Sequence, residues 1–391
     1  MPTVTIRHLH GDALLDLIPL LGYAFEPSPP LPEREKWQPL AGYLAGATLC
    51  VLYEDDQPVA AAANSPMTQH IRGWLYPMGA VWAVATHPAR RRKGYARQLM
   101  AHLFVLCRES GMPVSMLYAF RESFYERLGY TIFPQPRLAR FSPSALMPLL
   151  KMDLGGSVTL YSILEGFDLY RGYLQKQQRR THGMALGDDR SAVQIRDENK
   201  VWLAVARVNG EPVGVMTYRI DLPQHNLVAD RFYYGTSQGR YLLLEWLARH
   251  TDQVRTVELN LAPAERPDTW FADLNVAFSS VEPPLGRVID VMGLGGRMHT
   301  GPGSFCAEVH DPYGAWNEGG YRFATSDGVL EVSKADGIDC TLTINGLTAL
   351  IYGTHDPEDF ALRGWGNPPP ELQATMRTMF SPQLPHLHER Y

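Results

Sequence analysis

The sequence predicts an α/β chain built from more than one domain and closed by an α+β unit, and three observations carry that prediction. Apolar residues alternate between strand-like and helix-like periods through the first two thirds of the chain. The succession strand, loop, helix, strand occurs twice, around residues 81–118 and again around 227–261. From Pro284 onward the pattern changes to short alternating runs followed by helical stretches. A length of 391 residues exceeds what one hydrophobic core ordinarily serves. Boundaries near 150 and 285 therefore divide the chain into 1–150, 151–285 and 286–391.

The first block opens as strand and helix. Thr48–Tyr53 and Pro58–Ala62 then flank the turn Glu54-Asp55-Asp56-Gln57 and read as a hairpin. Val81–Thr86 is a strand, Tyr95–Ser110 a helix, Val114–Tyr118 a strand, and a short helix runs into Gly129 as its cap. In the second block Val201–Val208, the turn Asn209-Gly210 and Pro212–Tyr218 give a strong hairpin signal. Leu227–Tyr234, the turn Gly235–Gly239, a helix over Tyr241–His250 and the strand Val257–Leu261 follow. This order reads as a degraded second copy of the first block. In the last block Arg287–Asp290 is a strand entry. Phe305–His310, Tyr321–Ala324, Gly328–Ser333 and Asp339–Ile344 are strand-like, and Leu347–Tyr352 and Pro357–Arg363 are helical.

Hydrophobic residues make up 45% of the chain and charged residues 20%, the balance of a soluble globular protein. The net charge of −5 argues against a nucleic-acid partner and favours cationic small substrates. No apolar run reaches the length of a membrane span, and the first residues do not form a signal peptide. Cys50, Cys107, Cys306 and Cys340 lie far apart with no paired spacing, which fits reduced thiols in a cytoplasm and gives no disulfide or zinc framework. His386 and His388 lack a third ligand nearby and read as contacts of the tail, so no metal is expected.

Chemistry concentrates in Ala80–Leu99. An apolar strand leads into the turn His87-Pro88-Ala89-Arg90-Arg91-Arg92-Lys93, and a helix opens at Gly94. Backbone N–H groups at a helix start, with arginines around them, suit a pyrophosphate. Gly94 lets the backbone approach phosphate oxygens, Ala96 stays small one helix position later, and Arg91 and Arg92 can grip phosphate in a bidentate way. A solvated basic helix start is the ordinary alternative. The strand before and the apolar helix face after (Leu99, Met100, Leu103, Phe104) favour phosphate. The second loop, Gly235-Thr236-Ser237-Gln238-Gly239-Arg240, lacks the basic cluster.

The word Arg91-x-x-Gly94-x-Ala96 after a strand resembles the coenzyme A pyrophosphate loop of the GNAT acetyltransferase superfamily. Three further elements extend the resemblance: Phe124-Tyr125-x-x-x-Gly129-Tyr130, Asp311-Pro312-x-x-x-Trp316-Asn317-Glu318-Gly319, and the end from Met379-Phe380-Ser381 through Pro385 to Tyr391. Together they resemble the Eis family of acetyltransferases over essentially the whole chain. That resemblance implies two GNAT folds in tandem, the second without a pyrophosphate loop, and a C-terminal α+β domain similar to sterol carrier proteins. Lys93 is a departure, an extra residue where many relatives read Arg-Arg-Arg-Gly.

The resemblance implies acetyl-CoA as co-substrate, held by Val84, Ala85, Thr86, Arg91, Arg92, Lys93, Gly94, Tyr95 and Ala96. It implies Tyr125 as general acid and the terminal carboxylate of Tyr391 as general base. Glu26, Asp290 and Glu389 are the candidate substrate acids, for an aminoglycoside-type amine. A homo-oligomer, a hexamer in the family, is implied as well. Peptide or protein lysine acetylation, or an inactive lipid-binding module, are the alternatives.

Overall fold

The computed structural model describes residues 3–26, 28–31, 33–222 and 225–389. Residues 4–132 supply strands β1 (Val4–Leu9), β2 (Thr48–Glu54), β3 (Gln57–Ile71), β4 (Trp74–Thr86), β5 (Val114–Tyr118) and β6 (Thr131–Ile132). Their helices are α1 (Ile18–Phe25), α2 (Arg34–Tyr43), α3 (Tyr95–Glu109) and α4 (Glu122–Glu126). Residues 137–280 supply β7 (Arg137–Phe141), β8 (Ser157–Ser162), β9 (Ala185–Gly187), β10 (Trp202–Val208), β11 (Glu211–Asp221), β12 (Asn226–Tyr234), β13 (Thr256–Leu261) and β14 (Ala277–Ser280). The helices there are α5 (Ile163–Gln178), α6 (Asp189–Ala192), α7 (Gln194–Glu198) and α8 (Ser237–Ala248). Residues 284–379 supply β15 (Pro284–Val288), β16 (Ser304–His310), β17 (Gly319–Ser326), β18 (Val329–Lys334) and β19 (Cys340–Thr343), with α9 (Ile344–Tyr352), α10 (Phe360–Arg363) and α11 (Pro370–Met379).

Two compact units result. One joins the stretch up to Phe133 with His182–Ser191 and the stretch from Pro283 onward; the other is Pro134–Thr181 with Ala192–Glu282. Beside the expected boundaries at 150 and 285, these units break at Phe133/Pro134 and at Glu282/Pro283. β7, placed by sequence in the first block, pairs with β13 and β14 in the second unit. β15, read as the entry to the last block, pairs with β5 and β6 instead.

The first unit contains an eight-stranded sheet in the order β1-β2-β3-β4-β5-β15-β6, with β9 beside β3. Both faces are covered, so the central strands are apolar on both sides rather than alternating. Cys50, Leu52, Ala60, Ala62 and Val81 pack under Leu99, Met100, Leu103, Phe104 and Cys107 of α3. Leu49, Val51, Ala61, Ala63, Ala83 and Ala85 pack on the other face against Leu14–Leu21. The run Ala60–Ala63 keeps both faces shallow. Arg72 and Gly73, both at positive φ (45° and 91°), close the long β3–β4 hairpin as a two-residue turn whose twist matches the strands.

The same unit holds a four-stranded sheet, β18-β17-β16-β19, packed on α9 and α11. A buried network ties it to β15. Arg287 Nη2 donates to both carboxylate oxygens of Asp311 at 2.7 Å, and Nη1 donates to Leu128 C=O at 2.6 Å. Asn317 Nδ2 donates to Asp311 Oδ2 at 2.9 Å and to Ile289 C=O at 2.8 Å. Both charged side chains are fully enclosed, and losing one partner of such a pair costs roughly 3–5 kcal/mol. The Asp311…Trp316-Asn317 motif is therefore a structural junction. Gly129, at φ +88°, passes so close that a Cβ would lie 1.6 Å from Arg287 Nη1.

The second unit is a seven-stranded sheet, β14-β7-β13-β12-β11-β10-β8. Its helix α8 begins at Ser237, earlier than the sequence pattern places it, so most of the expected loop is helical. Ser162 and Glu165 form a capping box at the start of α5, a helix the sequence reading did not identify. No helix among the described residues is long and apolar enough to cross a membrane.

Candidate active site

β4 and β5 run parallel and pair from Met78↔Val114 to Ala80↔Met116, where the pairing stops. Beyond that point Val81–Thr86 continues along β3 alone. Between Ala61↔Ala85 and Ala63↔Trp82 the β3–β4 register slips by one, so Ala83 and Val84 face the single residue Ala62. This is a β-bulge, and Ala83 sits at φ +51° within it. A left-handed alanine costs about 1 kcal/mol, a strain that packed surroundings hold in place and that functional sites often store. The bulge turns the backbone of Val84, Ala85 and Thr86 at the mouth of the slot between the diverging strands.

The basic loop begins where β4 ends. His87 Nδ1 accepts from Ala89 N–H at 3.3 Å, and Pro88–Arg90 makes one 3₁₀ turn. Arg92 (φ +65°) and Gly94 (φ +82°) are both left-handed, which folds the chain back onto the start of α3. The first α3 bond runs from Gln98 N–H to Gly94 C=O, and no side chain caps the helix. The amides of Tyr95, Ala96 and Arg97 are thus the unsatisfied donors of a helix start, at its positive end.

The four basic residues divide into two pairs. Glu54, only 5% exposed, holds Arg90 and Lys93, with Lys93 Nζ 2.7 Å from Oε1. The hydrogen bond from Lys93 holds the Glu54 carboxyl below its ordinary range, and hydrogen bonding from Tyr95 and the charge of Arg90 act in the same direction. Lys93, expected to face a phosphate, is committed to Glu54, and the Tyr95 side chain is drawn to the same carboxylate. Arg91 and Arg92 are exposed, and Arg91 Nε donates weakly to Thr86 C=O at 3.4 Å. Glu54 is a site residue that the sequence reading missed. Its one signal was an acid at the end of a hydrophobic strand, 36 residues from the nearest of its partners in sequence.

Tyr125 lies on α4, just past the end of β5 that has parted from β4, and is 2% exposed. Phe124, Tyr130 and the exposed Phe120 surround it edge-on, with ring centroids at 4.9, 6.0 and 6.2 Å. Burial raises its phenol above the ordinary value. Its hydroxyl makes no hydrogen bond among the described residues, so a protonated donor is available there.

The acids separate. Glu26 ends α1, whose helix packs over Ala83 and Ala85, and its Oε2 lies 3.3 Å from Lys36 Nζ. Asp290 falls at the opposite end of β5 from Tyr118: its N–H donates to Pro113 C=O, and its carboxylate accepts from Met292 N–H at 3.1 Å. The structure therefore does not bring Asp290 to the Tyr125 end of the sheet. Glu389 lies beside His388, with Oε1 3.6 Å from Nε2. The tail leading to it is docked: Pro385–His388 are buried, and His386 N–H donates to His182 C=O at 2.9 Å. A Cβ on Gly183 would meet Pro385 at 2.5 Å, so glycine permits this contact. Tyr391 and its terminal carboxylate lie outside the described residues.

Residues 5–133 match the acetyltransferase (GNAT) domain family, and residues 299–388 match the sterol carrier protein domain family. No curated protein matches the chain by sequence. Among solved structures, a GCN5-related N-acetyltransferase from Anabaena variabilis superposes with a TM-score of 0.86 at 18% identity, covering 99% of this chain and 100% of that one. A probable N-acyltransferase of unknown function from Enterococcus faecalis gives 0.87 at 17% identity, with both chains fully covered. Eis1 from Mycobacterium abscessus gives 0.79 at 17% identity, again over the full length of both. At these identities the structures establish the fold, and the two family matches assign the domains. The chain is an acetyltransferase with a GNAT domain in its N-terminal third and a sterol carrier protein domain near its C-terminus.

Proposed function

We propose that the chain transfers the acetyl group of acetyl-CoA to an amine of a cationic small molecule, with aminoglycoside-type polyamines as the substrate class. The observation that carries this reading is the uncapped start of α3, flanked by Arg91 and Arg92 and opening beside the divergence of β4 and β5. Coenzyme A pyrophosphate suits the Gly94–Ala96 amides, and the extended pantetheine suits the free edge of Val84–Thr86. The thioester oxygen then meets a backbone N–H near the bulge, which polarises the carbonyl.

The amine nitrogen attacks the carbonyl carbon, the C–S bond breaks, and the departing thiolate takes the Tyr125 phenol proton. The proton lost by the amine passes to the Tyr391 carboxylate, and Tyr125 is reprotonated from solvent. The docked segment Pro385–His388 supports the last step, because the tail is buried up to His388, three residues before Tyr391 in sequence. Glu26 and Glu389 are the acids assigned to the cationic acceptor. By resemblance to the Eis family, the chain also assembles as a homo-hexamer and works in the cytoplasm; mass photometry tests the assembly.

Acetyl-CoA-dependent thiol release over a panel of aminoglycosides, simple amines and lysine peptides tests this reading with untagged protein. Polyamines should turn over best. Tyr125→Phe should lower kcat about 100-fold, the scale of a lost general acid, with coenzyme A affinity unchanged. Residues added after Tyr391 should abolish turnover and leave binding intact. Coenzyme A binding without turnover of any amine would favour a binding module, and turnover of lysine peptides alone would move the substrate class to proteins.

A further inference from the structure

Away from the candidate active site, three side chains from three elements meet on the α3 side of the first sheet. His8 on β1 and Cys50 on β2 are paired directly across the antiparallel ladder, so their side chains leave the same face. His102 lies two turns into α3, and its Nε2 is 2.7 Å from His8 Nε2. One ligand atom from each of His8, Cys50 and His102 lies within 4.8 Å of the other two. The two imidazole rings are tilted by 43°, so they meet through their nitrogens and are not stacked.

We propose that His8, Cys50 and His102 form a zinc site. Two imidazoles and one thiolate are a donor set for borderline-soft ions, and with no carboxylate in the group they offer nothing to magnesium or calcium. Tetrahedral zinc at ordinary Zn–N and Zn–S lengths holds its ligand atoms about 3.3–3.6 Å apart. Binding requires the His8–His102 contact to open slightly and Cys50 to turn toward it. His8 is exposed, which leaves the fourth position to water. Binding breaks the Cys50 S–H bond and forms a Zn–S bond, and the proton goes to solvent. Both histidines ligate as neutral rings. An ordinary thiol is protonated at neutral pH, so one proton is released on binding. The ion would fasten the edge strand β1 and its neighbour β2 to α3, the helix whose start carries the basic loop. Ligands at 8, 50 and 102 share no local spacing, which is why the sequence led to the opposite expectation.

Untagged full-length protein, stripped with chelator, is titrated with zinc chloride by calorimetry and with cobalt(II) by absorbance. One zinc and one released proton per chain are expected, with a thiolate-to-cobalt charge-transfer band and a raised Tm. His8→Gln alters an exposed residue and should keep the fold while weakening zinc at least about 100-fold, more than loss of an outer-shell partner costs. His102→Gln should do the same, and Cys50→Ser should remove the cobalt–thiolate band. Absence of that band in the wild type, or zinc affinity unchanged in the His8→Gln/His102→Gln double variant, would overturn the proposal.

Discussion

The chain contains two strand–loop–helix–strand passages with the same topology and opposite chemistry at the helix start. In the first, β4 leads through the eight residues His87–Gly94 into α3, and no side chain caps the helix. In the second, β12 passes through Gly235 and Thr236 into α8, and Thr236 Oγ1 accepts from Gly239 N–H at 3.1 Å. The second helix start is also pressed against β11, since a Cβ on Gly239 would lie 2.4 Å from Val213 C=O. Its nearby cation, Arg240, lies over the rings of Tyr234, Tyr241 and Trp270 at 5.3–5.4 Å and does not point into a loop. Both passages pair their parallel strands for only three or four residues. The split sheet is thus common to both. What separates an open helix start from a closed one is whether the chain supplies its own cap.

That contrast can be broken from either side. The largest effect is expected from Gly94→Asp, which places a left-handed carboxylate among the free amides. Coenzyme A binding should weaken at least about 100-fold, because both the close approach and the positive potential are lost. Calorimetry measures it, with circular dichroism confirming the fold. Next come Arg91→Ala and Arg92→Ala. Each should weaken coenzyme A about tenfold, the scale of one charge-assisted hydrogen bond, and flatten the dependence of Kd on salt. Thr236→Ala should cost about 1 kcal/mol of stability, as a lost helix cap does, and leave coenzyme A binding unchanged.

The smallest effect is expected from Glu54→Gln, which frees Arg90 and Lys93 from their shared partner. Because the Glu54 carboxyl is held below its ordinary value, its contribution is present above the ordinary carboxylate range. It is lost as pH falls through the lowered one. The Tm difference between wild type and Glu54→Gln should therefore shrink on acidification and vanish at low pH.

The basic loop was legible because its signals are local: a strand pattern, a Pro-led cationic run, a glycine and an amphipathic helix within twenty residues. The hairpins at Asp55-Asp56 and Asn209-Gly210 were legible for the same reason. Contacts between distant segments were not. Nothing near Glu54 in sequence announces that it anchors Arg90 and Lys93, and nothing near Pro284 announces that β15 returns to pair with β5. The bulge at Ala83 left no trace because alanine is not a residue that marks positive φ. Asp290 illustrates the limit from the other side: its carboxylate is available in sequence, yet its backbone is fastened to Pro113 at the far end of β5.

The central claim is that coenzyme A uses the first helix start and leaves the second untouched. Amide hydrogen exchange with and without coenzyme A reads both helix starts in one experiment. Protection should appear across Gly94–Arg97, while Ser237–Arg240 exchanges at an unchanged rate. Protection at Ser237–Arg240, or no change at Gly94–Arg97 when coenzyme A is bound, would contradict the account.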